Sequence, residues 1–260
     1  MARLPLWLEL AGRRVLVVGG GRVGTRRALM FAEAGAEVRV VGLAFSRELE
    51  EAARRGRVEL VELDASREEA LRPYIEWADI VVAATSEPRV NEAVWRLARG
   101  ARKWVNDATD AARTEIVVPY RAVFLGGALE VAVTTQGRSG VVARHALERI
   151  KSCLEGDTVL EKLYEAMWRV KPVLKALLPD GRARFPIYFR AEEAVLEAIE
   201  GGGDPLRAAA RAVAEALREH GVEVSEEEVY RMMLEAREPI RALSEQAGGG
   251  RLGHGAAGRG

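Results

Sequence analysis

Residues 14–35 read RVLVVGGGRVGTRRALMFAEAG, and this stretch decides the fold. Residues 14–19, RVLVVG, form a short β-branched run with charge before it and glycine after it, the pattern of a strand buried on both faces. The cluster Gly19-Gly20-Gly21 follows. From Arg22 to Ala34 apolar residues then recur at helical spacing, and Gly35 ends the helix as a C-terminal cap. Between a strand and a helix, Gly19-x-Gly21-x-x-Gly24 has the context a dinucleotide loop requires. The first glycine permits a tight turn and the second lets a pyrophosphate approach the backbone. The third lets helix and strand pack closely, and the helix N-terminus offers amides and partial positive charge to the phosphates. The alternative is a glycine turn that holds no ligand.

Moving outward, Glu37 to Val41 reads as a second buried strand, and a helix from Ser46 to Arg55 has Ser46 as its N-cap. Val58 to Leu63 alternates as a third strand and Asp79 to Ala84 is a fourth. Residues 87–100 form a helix, and Lys103 to Asn106 is a fifth strand. Strands and helices joined by short connections imply a parallel sheet covered by helices. The end of the second strand, Val40-Val41-Gly42-Leu43-Ala44, carries no acid for an adenosine ribose. No base sits in that turn for a 2′-phosphate, although Arg47 is close, so the loop by itself leaves NAD and NADP open.

Beyond Asp110 the pattern changes. Ile116–Val118 and Leu129–Thr134 read as strands around the turn signal Gly126-Gly127, and a helix runs from Gly140 to Leu154. Helices are expected at Thr158–Leu178, Ala191–Glu200, Pro205–His220 and Glu226–Leu243. The tail at 247–260 is glycine-rich and is expected to be disordered.

The composition limits the function classes. Lys plus Arg total 39 and Asp plus Glu total 39, so no global field favours nucleic acid or an anionic membrane. The one cysteine, Cys153, excludes an internal disulfide framework and a multi-cysteine metal site. His145, His220 and His254 are scattered, and no structural metal is expected. No run reaches the roughly 18 apolar residues of a membrane span. The opening MARLPLWLELAGRR lacks the apolar length and cleavage pattern of a signal peptide, so a soluble cytoplasmic protein is expected.

Four segments, in order, resemble the precorrin-2 dehydrogenases, which also form the N-terminal part of siroheme synthases. LPLWLELAGRRVLVVGGGRVGTRRALMFAEAGAEVRVV is similar to that family's opening. Asp79–Thr85 followed by Asn91 resembles its "AAT…N" segment. Val105-Asn106 with the later Val118-Pro119 resembles its asparagine-bearing strand and the proline beyond. Thr134–Ser139 with Arg144 resembles its serine- and glycine-rich loop before a helix. The likeness covers residues 4–152.

The resemblance implies an α/β protein: a Rossmann-like NAD-binding domain (1–112), a small dimerisation and substrate segment (113–153) and a helical C-terminal domain (154–245), with the tail at 246–260. It implies NAD-dependent oxidation of precorrin-2 to sirohydrochlorin by a homodimer. The cofactor would be NAD, held by Gly19, Gly20, Gly21, Arg22, Val23, Gly24, Leu43, Ala44 and Thr85. The tetrapyrrole would meet Asn106, Thr135, Gly137, Arg138, Ser139 and Arg144, since its acetate and propionate groups call for cations and helix-start amides. Two departures matter. The family's functional aspartate falls on Thr109, so the carboxylate passes to Asp107 or Asp110, and Gly140 stands where the family often has proline. Whether the chain also inserts iron stays open, and the missing fixed carboxylate argues against it. Two other readings remain: a different Rossmann dehydrogenase of a small anionic substrate, and an NAD(H)-sensing regulatory module.

Overall fold

In the computed structural model, which describes residues 3–237, the apolar run after Arg13 becomes β1 (Arg14–Gly20). Its side chains alternate between two cores. Val15 and Val17 enter one and Leu16 and Val18 the other, all four fully buried. That is the environment of a central parallel strand. The sheet has the order β3-β2-β1-β4-β5, with β2 at Glu37–Phe45, β3 at Glu59–Glu62, β4 at Ile80–Ala83 and β5 at Trp104–Asp107. All neighbours are parallel. Helices α1 (Arg22–Glu33) and α2 (Arg47–Arg54) bury Ala28, Phe31, Leu49 and Ala52 on one face. Helices α3 (Glu68–Trp77) and α4 (Pro88–Gly100) bury Leu71, Ile75, Val94 and Leu97 on the other. The chain winds outward from β1 in one direction and then crosses to β4. The crevice for a ligand therefore opens at the carboxyl ends of β1 and β4.

Local chemistry sets the element ends. Gly35 has φ +84°, Gly35 N–H donates to the Ala32 carbonyl and Ala36 N–H to that of Phe31, which closes α1 with paired turn bonds. Ser46 caps α2 by accepting from Leu49 N–H. Helix α3 is absent from the sequence reading, because Pro73 interrupts its short pattern. Leu71 and Ile75 at i and i+4 nevertheless anchor it, with Glu68 and Glu69 favourable in its first turn.

The strand expected at Ile116–Val118 is a correction. The backbone there turns back on β5: Glu115 and Ile116 N–H both donate to the Val105 carbonyl, and Asn106 Nδ2 donates to the Ile116 carbonyl at 2.7 Å. Those groups are consumed locally, and the strand starts only after Pro119, as β6 (Tyr120–Phe124). With β7 (Leu129–Val133) it forms a two-stranded sheet.

Helix α5 (Gly140–Leu154) follows. The described chain divides into two compact units, residues 3–120 with 132–146, and residues 121–131 with 147–237. In the second, α6 (Thr158–Leu177), α7 (Gly181–Glu200), α8 (Pro205–Glu219) and α9 (Glu226–Glu235) surround a separate apolar core. Its centre is α8, which buries Ala209, Ala210, Val213, Ala214, Ala216 and Leu217. Helix α7 begins ten residues before the expected Ala191. Asp180 caps it by accepting from Arg182 N–H, and Pro186 near its start is accommodated with the loss of one backbone bond. The expected continuation of α9 to Leu243, His254 and the glycine-rich tail lie outside the described residues. Among the described residues no helix is long and apolar enough to cross a membrane.

Candidate functional site

The glycine loop is built by exclusion. Gly19 has φ +114°, and a Cβ there would stand 2.5 Å from the Ala84 carbonyl oxygen and 2.9 Å from Thr85 N. This turn therefore lies against the end of β4 with no room for a side chain. At Gly20 a Cβ would strike the Ala44 carbonyl, and at Gly24 it would strike the Gly19 carbonyl. Gly21 differs. Its φ of −77° suits any residue, and a Cβ there meets nothing within 4 Å. Space is thus left open in front of the first amides of α1, which lack intrahelical acceptors. Such a cradle has the shape a pyrophosphate requires, and Gly19 and Gly24 stand where no side chain fits.

Around the cradle, Arg22 is exposed, Val23 is partly so, and Leu43 and Ala44 are exposed at the carboxyl end of β2. Thr25 Oγ1 lies 2.8 Å from Ser46 Oγ and ties α1 to the start of α2. No carboxylate occurs from Val41 to Ser46, so a ribose in this crevice would meet backbone rather than an acid.

From the cradle a polar chain leads to the end of β5. Asn91, fully buried on α4, accepts from Thr85 N–H at 3.0 Å and from Thr85 Oγ1 at 2.7 Å. Its Nδ2 donates to the Thr85 carbonyl and to Thr109 Oγ1. Thr109 Oγ1 in turn donates to Asp107 Oδ1 at 2.6 Å. The sequence reading named Asn91 only as part of a motif; its clamping role depends on α4 bringing it beneath both loops.

The two aspartates have different environments. The Asp107 carboxylate is fully buried and fully engaged: Oδ1 accepts from Thr109 N–H, Thr109 Oγ1 and Asp110 N–H, and Oδ2 accepts from Arg113 Nε at 3.0 Å. Arg113, which sequence reasoning missed, also faces Asp110 Oδ2 at 3.4 Å and Glu92 at 3.7 Å. The Asp110 side chain is 41% exposed, and its Oδ1 caps a single 3₁₀ turn at Ala111–Arg113 by accepting from Ala112 N–H. Asp107 thus shapes the loop and Asp110 reaches solvent. Removing a partner from a buried pair costs several kcal/mol. Asp107→Ala should therefore lower stability by about 3 kcal/mol. Denaturant unfolding is the measurement, and an unchanged midpoint would show that Asp107 does not hold this loop.

The loop Thr134–Ser139 sits against the same turn. Gly137, at φ +88°, packs on the Ala111 side chain with no space for a Cβ. Arg3 braces both segments, donating to the carbonyls of Ala111 and Thr114 at 2.9 and 3.0 Å and to that of Gln136. Within the loop, Thr135 Oγ1 accepts from Ser139 N–H and donates to the Ser139 carbonyl, both at 2.8 Å. Ser139 Oγ accepts from Val142 N–H at the start of α5. Arg138 and Arg144 are exposed, and Asn106 is buried with Nδ2 on Ile116. Among the described residues no cluster of three or more His, Cys, Asp or Glu could hold a metal ion.

Residues 6–120 match a family of NAD(P)-binding domains. Over 177 residues the chain is 31% identical to the precorrin-2 dehydrogenase of Methanosarcina barkeri (strain Fusaro), covering 67% of this chain and 74% of that one. The chain belongs to the precorrin-2 dehydrogenase family. Siroheme synthase 1 of Yersinia enterocolitica is 34% identical over 169 residues, 65% of this chain but only 34% of that protein. The match to siroheme synthases thus spans about a third of their length. Among solved structures, SirC, precorrin-2 dehydrogenase, superposes with a TM-score of 0.57 at 24% identity, over 83% of this chain and 98% of that one. That likeness bears on the fold, and it agrees with the parallel sheet and helical region described above.

Proposed function

We propose that this chain oxidises precorrin-2 to sirohydrochlorin with NAD as the hydride acceptor. One observation carries the reading. The open cradle at Gly21 and the exposed carboxylate of Asp110 stand on the carboxyl edge of one parallel sheet, joined through Thr85, Asn91 and Thr109. The conversion removes two electrons and two protons from the macrocycle, as one hydride and one proton. NAD, when bound, takes the hydride. Asp110 receives the proton, directly or through one water. Gly19, Gly20, Gly21, Arg22, Val23 and Gly24 hold the pyrophosphate side, and Leu43, Ala44 and Thr85 border the rest of the dinucleotide. Arg138 and Arg144, with Thr135, Gly137 and Ser139 and the first amides of α5, hold the acetate and propionate groups of the substrate. Asn106 supports the floor of the site beside Ile116.

Incubation with precorrin-2 and NAD tests this, with NADH formation and the sirohydrochlorin spectrum followed together. Equal yields of the two support it; no turnover would remove the assignment.

The protein works as a homodimer in this reading. The β6–β7 sheet has two strands, so each has an edge without a partner strand among the described residues, and Val123 is exposed on it. A second copy of the chain covers such an edge. Light scattering at micromolar concentration should give twice the chain mass, and a monomer would count against it. The absence of a long apolar helix among the described residues and the balanced charge support a soluble cytoplasmic location, without nucleic-acid or membrane partners.

A further inference from the structure

Arg113 ends the 3₁₀ turn that Asp110 caps, and the proposed function gives it no task. Its side chain is 21% exposed and faces three carboxylates. Nε donates to Asp107 Oδ2 at 3.0 Å and stands 3.4 Å from Asp110 Oδ2, while Nη1 is 3.7 Å from Glu92 Oε2. The three contacts differ in kind. The Asp107 side chain is wholly enclosed, and a buried carboxylate is costly without a counter-charge. Arg113 supplies that charge through the shortest of its contacts, which anchors the guanidinium. Asp110 therefore lies beside a cation whose position is set by a different residue.

The Asp107–Arg113 pair would suffice to hold the loop. The contact with Asp110 adds alignment. Asp110 Oδ1 is tied to Ala112 N–H at 2.8 Å, so with Oδ2 against Arg113 Nε the carboxylate is restrained at both oxygens. A general base must stand within hydrogen-bond reach of the proton it takes, and a freely turning carboxylate is misaligned part of the time. Charge points the same way. When Asp110 takes a proton it becomes neutral, and Arg113 still faces Asp107 and Glu92. The transfer leaves no enclosed charge unpaired.

We infer that Arg113 is a positioning residue for Asp110: the buried Asp107 fixes the guanidinium, and the guanidinium fixes the base. The inference rests on the proposed function, in which Asp110 receives the proton. That proton leaves the macrocycle for a carboxylate oxygen of Asp110, the hydride goes to NAD, and Arg113 exchanges no proton.

The test is a double-mutant cycle on precorrin-2 oxidation. Arg113→Lys keeps a charge and loses the fixed Nε donor. The paired substitution Asp107→Asn with Arg113→Gln removes the cation without stranding a buried carboxylate, and an asparagine oxygen can still accept the loop bonds of Asp107 Oδ1. Each is measured alone and in combination with Asp110→Asn. The paired substitution should lower kcat about tenfold, the scale of a base that is present but unaligned, with KM for precorrin-2 and NAD affinity unchanged. Arg113→Lys should fall between it and the parent. In combination with Asp110→Asn neither should reduce kcat further, because a residue that acts through another then has nothing to act on. Losses that multiply with that of Asp110→Asn, a raised KM, or a parental kcat would each overturn the inference. Circular dichroism checks the fold, and if the paired variant unfolds, the Arg113→Lys cycle decides by the same criteria. If Asp110→Asn is slow while the Arg113 variants are parental, this inference alone falls. If Asp110→Asn itself turns over like the parent, the reading of Asp110 as the base falls, and the role of Arg113 with it.

Discussion

Asp110→Asn is expected to lower turnover of precorrin-2 by about a hundredfold or more, with NAD affinity retained, since a positioned general base contributes typically 10²- to 10⁴-fold. The substitution isolates basicity. Asp110 Oδ1 caps the 3₁₀ turn through Ala112 N–H, and an asparagine oxygen accepts that bond equally well. The backbone of the loop is also held from elsewhere, by Asp107 through Thr109 and Arg113. What is lost is the ability of an exposed carboxylate to take a proton. Asp107→Asn should reduce turnover less, through loosening of the loop, because all of that carboxylate is spent on protein donors. Steady-state rates with both variants decide the matter. If both remain within a few-fold of the parent, neither aspartate handles the proton, and the protein acts by holding macrocycle and nicotinamide together.

Gly21→Val should abolish dinucleotide binding while the fold survives. The position has an ordinary φ of −77°, and a Cβ there has nothing within 4 Å, so a side chain can branch there without displacing the backbone. It fills the space in front of the α1 amides that a pyrophosphate would occupy. Displacing the phosphates from two such donors forfeits about 3 kcal/mol, on the basis of charge-assisted hydrogen bonds, or roughly two orders of magnitude in Kd. Gly24 provides the contrast: a Cβ there strikes the Gly19 carbonyl, so even alanine should damage folding. Circular dichroism and calorimetric NAD titration separate the two effects. A folded Gly21→Val protein with parental NAD affinity would place the dinucleotide elsewhere.

The parallel sheet was legible in the chain because β1 and β4 are buried on both faces and hence read as apolar runs. Helix boundaries were legible where capping chemistry is local, as at Ser46 and Gly35. Reading failed where a proline masks a helix whose stability comes from packing, as with Pro73 in α3 and Pro186 in α7. It failed too at Ile116–Val118, where an apolar run spends its hydrogen bonds on β5 instead of a new strand. Residue types and spacing fix a glycine's conformational freedom, a cap or an apolar periodicity, because these depend on a few neighbouring residues. Only the tertiary structure separates Asp107 from Asp110 and joins Asn91 to Thr109. Burial and hydrogen-bond partners come from segments distant in the chain, and they decide whether a charged group is spent on the fold or free for a ligand.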